Sequence, residues 1–399
     1  MADASITDLS GKKIKLVIVT NNVYAFGGGE KWALELSKRL SGVFDITIVN
    51  VYSKKEKMRK TKEDLEKEYG LRDFRVLDLE ASQLKSSAFG KEEYTMRIPN
   101  PKSIKLLFDI IKSSDVIYEI SLNPVVFSYS IVFSKILGKK FIFGIHNPVF
   151  FKIFEDNRLE SRILLQLLKR VRYFHIINSS DFRLIRRHFP EARRYKIGIF
   201  LTKNRIKSET YEKKFIALYV GRFAKDQKGI DFFDRIIRKV VSKEKRIEFH
   251  IVGAGGDGEK IISDLSKKYE ANVKALGFLD EKKLEEEYRK ANIFVLPSRY
   301  EGLPAVVIEA QSYGLPVAAF DVKGPKDIVI NKVQGTLIEP FDTDAFSRSI
   351  LKYFQLWKSD VPEYARLKEE ISEIIYNRYE VSKILKLMEK MILEVYNSK

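Results

Sequence analysis

The chain has 399 residues, more than one ordinary domain needs and enough for two that each bury a core. Hydrophobic residues make up 45% and aromatics 12%, which excludes a disordered chain; the lack of cysteine excludes a disulfide scaffold, a thiolate nucleophile and a Cys-ligated metal. The formal net charge of +18 is uneven, with 36 basic against 23 acidic residues over 1–200 and 36 against 31 over 201–399, so the first half calls for an anionic neighbour. The first ten residues, MADASITDLS, have no apolar signal-peptide core, and no apolar run reaches membrane-spanning length. A cytoplasmic chain is expected, soluble or peripheral on the inner face of the membrane.

In chain order, Ile14–Thr20 is a short β-branched run, followed by the glycine-rich loop Phe26–Gly29 and a helical pattern over Glu30–Leu40. Asp45–Tyr52 predicts a second buried strand, and Lys54–Gly70 a solvated helix or loop. Asp115–Tyr118 and Lys140–Gly144 predict strands on either side of a helix around Phe127–Leu137, and Phe174–Asn178 another strand. The polar stretch Leu201–Lys214 is a linker. A second series then begins: strands at Phe215–Val220, Glu248–Val252, Val273–Gly277, Ile293–Leu296 and Pro316–Phe320, alternating with helices around Gly229–Val241, Asp280–Lys290 and Pro304–Tyr313. Asp342–Trp357 and Glu363–Ser398 are helical. Two successive βα series predict an α/β protein of two Rossmann-like domains.

The most informative segment is Pro297–Val317, PSRYEGLPAVVIEAQSYGLPV, at the carboxyl end of a buried strand, where open α/β sheets bind ligands. Glu301 lies in the loop and Glu309 in the following helix; Pro304 suits the first helical turn, and the N–H groups of Leu303 and Ala305 are left for a phosphate or a sugar hydroxyl. Earlier, Tyr219-Val220-Gly221-Arg222 with Lys228-Gly229 places two cations after a strand, where they would favour a departing diphosphate. Gly253 and Gly255 end another strand and would let a nucleotide base approach the backbone. Gly27, Gly28 and Gly29 open a helix without the Walker GK[ST] ending, and His146 follows a strand in GIHNPVF. Asp342-Thr-Asp344 is a helix cap rather than a metal-binding Asp-x-Asp. His175, His188 and His250 are assigned no role.

Glu301, Glu309 and Gly314-Leu315-Pro316 resemble the signature of the retaining glycosyltransferases of family 4, which have the GT-B fold. The resemblance runs through most of the second half and more weakly into the first. It implies a cleft between the two domains as the active site. It also implies transfer of a hexose or related sugar, with retention, from a nucleoside-diphosphate sugar (UDP foremost) to a hydroxyl of a glycan or lipid-linked acceptor in cell-surface glycan or glycoprotein biosynthesis. By resemblance, Glu301 contacts the transferred sugar, Glu309 the ribose, Arg222 and Lys228 the diphosphate, and His146 the catalytic cleft. No cofactor and no metal is expected. Two departures leave the donor sugar open: Pro304 removes one backbone donor, and Gly324-Pro325-Lys326-Asp327 stands where relatives carry Gly-Gly-x-x-Glu.

The implied domains are 1–203 for the acceptor, 204–375 for the nucleotide sugar, and 376–399 as a helix returning to the first. The basic helical stretch Arg158–Tyr173, preceded by Val149–Phe154 and followed by Arg183, Arg186, Arg187, Arg193 and Arg194, suits an anionic membrane surface. The alternatives are a nucleotide-sugar epimerase on the same fold, which would need more acid–base groups than four histidines provide, and a nucleic-acid-binding protein, which leaves the two glutamates unexplained.

Overall fold

The computed structural model describes residues 12–398, apart from 26, 55–57, 59, 72, 87–93, 122, 149, 157 and 202–213. The chain forms two compact units, one of residues 1–199 with 381–399 and one of residues 200–380. These boundaries lie a few residues from the 203/204 and 375/376 read from the sequence. Much of the 201–214 linker lies outside the described residues.

In the first unit the elements run β1 (Lys15–Thr20), α1 (Gly28–Leu40), β2 (Asp45–Tyr52), α2 (Lys62–Tyr69), β3 (Arg75–Ser86), β4 (Tyr94–Pro99), α3 (Pro101–Ser113), β5 (Val116–Glu119) and α4 (Pro124–Ile136). They continue with β6 (Lys140–Ile145), α5 (Lys152–Glu155), α6 (Leu159–Leu168), β7 (Tyr173–Ile176), α7 (Ser179–His188) and β8 (Arg193–Lys196). The sheet order is β4-β3-β2-β1-β5-β6-β7-β8, parallel except for the β3–β4 pair. The order reverses between β1 and β5, the switch point at which such sheets open a crevice.

The second unit runs β9 (Phe215–Val220), α8 (Lys225–Lys228), α9 (Phe233–Val241), β10 (Ile247–Val252), α10 (Glu259–Lys268), β11 (Val273–Gly277), α11 (Glu281–Lys290) and β12 (Ile293–Leu296). Then come α12 (Ala305–Ser312), β13 (Val317–Phe320), α13 (Pro325–Ile328), β14 (Gly335–Ile338), α14 (Thr343–Ser359) and α15 (Val361–Tyr379). The parallel order is β11-β10-β9-β12-β13-β14, so the switch point lies between β9 and β12. β9, β10, β12 and β13 are buried at every residue; β9, β12 and β13 are accordingly apolar throughout, whereas β10 also buries Glu248 and His250.

The helix read over 363–398 is two helices, α15 and α16 (Val381–Tyr396), broken at Glu380. The Tyr379 carbonyl accepts from the N–H of Leu201 instead of continuing the helical ladder. The amphipathic stretch read over 158–173 also divides, because α6 ends at Leu168 and β7 begins at Tyr173.

Candidate functional site

In the second unit the turn after β9 carries Arg222 and Lys228. Gly229 closes α8 in the left-handed conformation (φ 65°), and a Cβ there would overlap the carbonyl oxygen of Pro297 at the end of β12. Only glycine lets this turn press against the neighbouring strand end. The approach sets the Lys228 ammonium 2.6 Å from Glu301 Oε1, with both side chains largely buried. Ser298 donates to the same oxygen at 2.8 Å. Behind Glu301, Gly324 has φ 97°, and a Cβ there would come within 2.7 Å of the Glu301 Cβ.

Arg299 holds the two loops in register. It makes a two-pronged bond to Asp231 (2.8 and 2.7 Å) and donates to the Lys225 carbonyl at 2.7 Å. Its guanidinium also lies over the Phe232 ring, 4.3 Å from the centroid. Sequence reasoning passed over Arg299, although it stands two residues before Glu301. Arg222 is exposed; it donates to Gln227 Oε1 at 3.2 Å, while its carbonyl accepts from Tyr219 OH at 2.8 Å.

The helix α12 starts at Ala305, with Pro304 as its cap residue rather than its first helical one. The N–H groups of Leu303 and Ala305 have no acceptor among the described residues. Glu309 lies on α12 about 6 Å along the axis from its first residue. It accepts from Tyr288 OH at 3.1 Å and is not bonded to Lys228 or Ser298.

Gly253 and Gly255 have positive φ (147° and 79°). A Cβ on Gly253 would overlap the Gly221 carbonyl, and Phe223 N–H donates to the Gly255 carbonyl at 2.8 Å. The glycines are spent on locking the β9 and β10 loops together. The Gly255 N–H donates to Glu259 at 2.7 Å. Gly314 (φ 76°) likewise admits the backbone of Lys368 in α15, so the Gly-Leu-Pro turn is a packing device. Asp342 Oδ1 accepts from Ala345 N at 2.8 Å, capping α14.

In the first unit, Gly27 caps α1 in extended conformation and Gly28 and Gly29 form its first turn; a Cβ on either of these two would meet nothing within 4 Å. The Glu30 carboxylate folds back onto this start, where a Cβ on Gly27 would overlap it. His146 follows β6. Its Nε2 lies 3.1 Å from Tyr118 OH and 3.2 Å from His175 Nδ1, and Tyr118 OH lies 2.5 Å from that Nδ1. His175 Nε2 lies 2.9 Å from the Ile197 carbonyl, so it carries the hydrogen and Nδ1 accepts from Tyr118. The Tyr118 oxygen then accepts from His146 Nε2–H, leaving His146 Nδ1 with its lone pair. Burial, and then neighbouring His175, push the His146 pKa well below its ordinary value, so the ring is neutral at pH 7. Trp32 packs on it at 4.6 Å between ring centroids.

His175 had no role in the sequence, yet it orients His146. The signal is its register opposite Gly144, which only strand pairing discloses. The buried Glu119 on β5 was missed too; burial pushes its pKa up to about 8, although Ser121 donates to it at 2.8 Å.

Two parallel-sheet Rossmann-like units are the GT-B architecture, and a solved structure has the same fold over nearly the whole chain. This is TarM of Staphylococcus aureus, as a mutant in complex with fondaparinux, alpha-GlcNAc-glycerol and UDP. The superposition has a TM-score of 0.73 at 16% identity and covers 96% of this chain and 100% of that one. Residues 201–373 match the family described as Glycosyl transferases group 1. The amylovoran biosynthesis glycosyltransferase AmsD of Erwinia amylovora is 37% identical over 101 residues, 25% of this chain and 28% of that one. The poly(ribitol-phosphate) alpha-N-acetylglucosaminyltransferase of Staphylococcus aureus is 31% identical over 195 residues, 47% of this chain and 38% of that one. The matched stretch thus spans about a third of these relatives' length.

Proposed function

We propose that the chain is a glycosyltransferase of cell-surface glycan biosynthesis. It transfers a hexose or related sugar, with retained configuration, from a UDP-sugar to a hydroxyl of a glycan or lipid-linked acceptor at the cytoplasmic side. The observation that carries this reading is the Lys228–Glu301 pair at the switch point of the second sheet, beside the open start of α12. The family match over residues 201–373 and the UDP in the TarM structure support it.

In this reading Arg222, Lys228 and the N–H groups of Leu303 and Ala305 take the donor diphosphate. Glu301 turns from its lysine to the sugar hydroxyls, Glu309 binds the ribose, and the backbone at Gly253 and Gly255 borders the base. His146, with Nδ1 as acceptor, holds a hydroxyl of the sugar or acceptor, and the start of α1 at Gly27, Gly28 and Gly29 faces a substrate oxygen. The acceptor oxygen bonds to the anomeric carbon as the bond from that carbon to the diphosphate oxygen breaks. The acceptor's proton passes to the leaving phosphate. The two cations stabilise the charge that builds there, so no metal is needed.

The test is release of nucleoside diphosphate from a panel of UDP-, GDP- and ADP-sugars, with and without chelator, beside Glu309→Ala and Lys228→Ala. Turnover of one donor, unaffected by chelator and lost in both variants, is expected. No binding or turnover of any donor overturns the reading. The anomeric configuration of the product, read by NMR, tests retention.

A further inference from the structure

A cavity of about 840 Å³ lies in the first unit, far from His146. It opens at the amino ends of β6, β7 and β8, which are parallel, while His146 follows the carboxyl end of β6. Six residues of strand separate the two edges by about 17 Å.

Its rim is cationic. Lys139 and Lys140 enter β6, Lys169, Arg170 and Arg172 lead into β7, and Arg193 begins β8. Lys135 completes it from the last turn of α4, and Glu191 is the one carboxylate in the lining. Lys135 and Lys169 also suit the carboxyl ends of α4 and α6, but the other five are not on helices. Of the seven, none has an ion-pair partner among the described residues; Lys140 donates instead to the Ser398 carbonyl.

Beside this rim lie exposed aliphatic side chains. Ile136 and Val132 are 70% and 42% exposed, four residues apart on α4. Leu159 and Ile163 are 71% and 51% exposed, four apart on α6, which packs against α4. The α4 stripe ends beside Lys135, and the α6 stripe lies in the first half of its helix, six residues before Lys169. Of the run Val149–Phe154, Val149 lies outside the described residues and Phe151 and Phe154 are half-buried. Phe150 and Ile153 are buried, and the Phe154 ring packs on His188 at 4.5 Å.

We propose that this face docks on an anionic phospholipid bilayer, with headgroup phosphates in the cationic cavity and the α4 and α6 aliphatics in the acyl boundary. The charge selects the anionic headgroup. Of the rings that line the cavity, Phe141, Tyr173 and Phe189 are buried and His188 packs on Phe154. The exposed apolar side chains nearby are aliphatic, which favours acyl chains over nucleic-acid bases, since bases stack on rings. Among the described residues no helix is long and apolar enough to cross a membrane, so attachment would be from one side. The proposal does not rest on sugar transfer, and binding is measurable without turnover.

The experiment is co-sedimentation of the full chain with vesicles of phosphatidylcholine alone or mixed with phosphatidylglycerol, at low and high salt, with melting temperature as the fold control. Parent protein should bind only the mixed vesicles. Lys169→Gln/Arg170→Gln should weaken that binding on the order of thirtyfold, from roughly fivefold per cation. Leu159→Ser/Ile163→Ser should abolish the part that survives high salt. Equal binding to neutral vesicles, or no change in the cation variant, overturns the proposal. So does binding of single-stranded DNA, with the same dependence on Lys169 and Arg170, by protein that ignores vesicles.

Discussion

Lys228 and Glu301 are unequal partners, and the inequality predicts what each loss costs. The side chains are 13% and 5% exposed. Replacing Lys228 by methionine keeps the stem and leaves the Glu301 carboxylate buried with Ser298 as its remaining donor. Losing one member of a buried pair costs roughly 3–5 kcal/mol; with Ser298 and partial solvent access retained, about 2–4 kcal/mol is expected. Glu301→Gln leaves a flexible ammonium that reaches water, so about 1–2 kcal/mol suffices. The double variant should be more stable than Lys228→Met alone. The two tryptophans fall one in each unit, so a Trp32→Phe background leaves Trp357, packed on Phe215 and Phe354, to report the second unit in a denaturant titration. Under the proposed function, nucleoside-diphosphate release falls on the order of 10²–10³-fold in Lys228→Met, and the double variant does not recover it. A Lys228→Met protein as stable as its parent, or a Glu301→Gln protein less stable than Lys228→Met, refutes the reasoning.

Glu119 binds its proton more tightly folded than unfolded, since burial lifts its pKa to about 8. Its contribution is whole below the unfolded carboxylate pKa and is lost as pH rises through about 8, so denaturation midpoints at pH 5 and pH 8.5 should differ less in Glu119→Gln, by on the order of 3–5 kcal/mol. Gly253→Ala forces a Cβ into the Gly221 carbonyl at φ 147° and should destabilise the second unit by roughly 2–4 kcal/mol, read by the same fluorescence titration; an unchanged midpoint would show that the loops separate freely. Asp342→Ala removes a cap bond and should cost about 1 kcal/mol while leaving donor turnover intact; a loss of turnover restored by a divalent cation would count against its being a cap alone.

How much was legible from the residues varied with burial. Asp45–Tyr52 and Phe215–Val220 match their strands end to end because each is a β-branched or apolar run, buried except at the two ends of Asp45–Tyr52, inside a sheet. β3 and β4 were not recognised, since their mixed polar sequence suits an antiparallel sheet edge. β8, RRYK, hides because it is a short polar strand at the other edge, although it pairs in parallel. Of the site, the glutamates and cations were visible through their spacing, and the structure joins Lys228 to Glu301. Arg299, Tyr118 and His175 were invisible because their partners lie across strands and loops, where only register and turn geometry bring them together.

The return of α16 to the first unit has a consequence for biosynthesis. Residues 200–380 are an uninterrupted stretch, so the second unit has all its residues before synthesis ends. The first unit must wait, with most of its sheet made, for the last helix to bring Ile384, Met388, Met391, Ile392 and Val395 into its core. Of the two units, the one begun first is thus completed second, and during that interval its unfilled apolar face is open to aggregation and to chaperones.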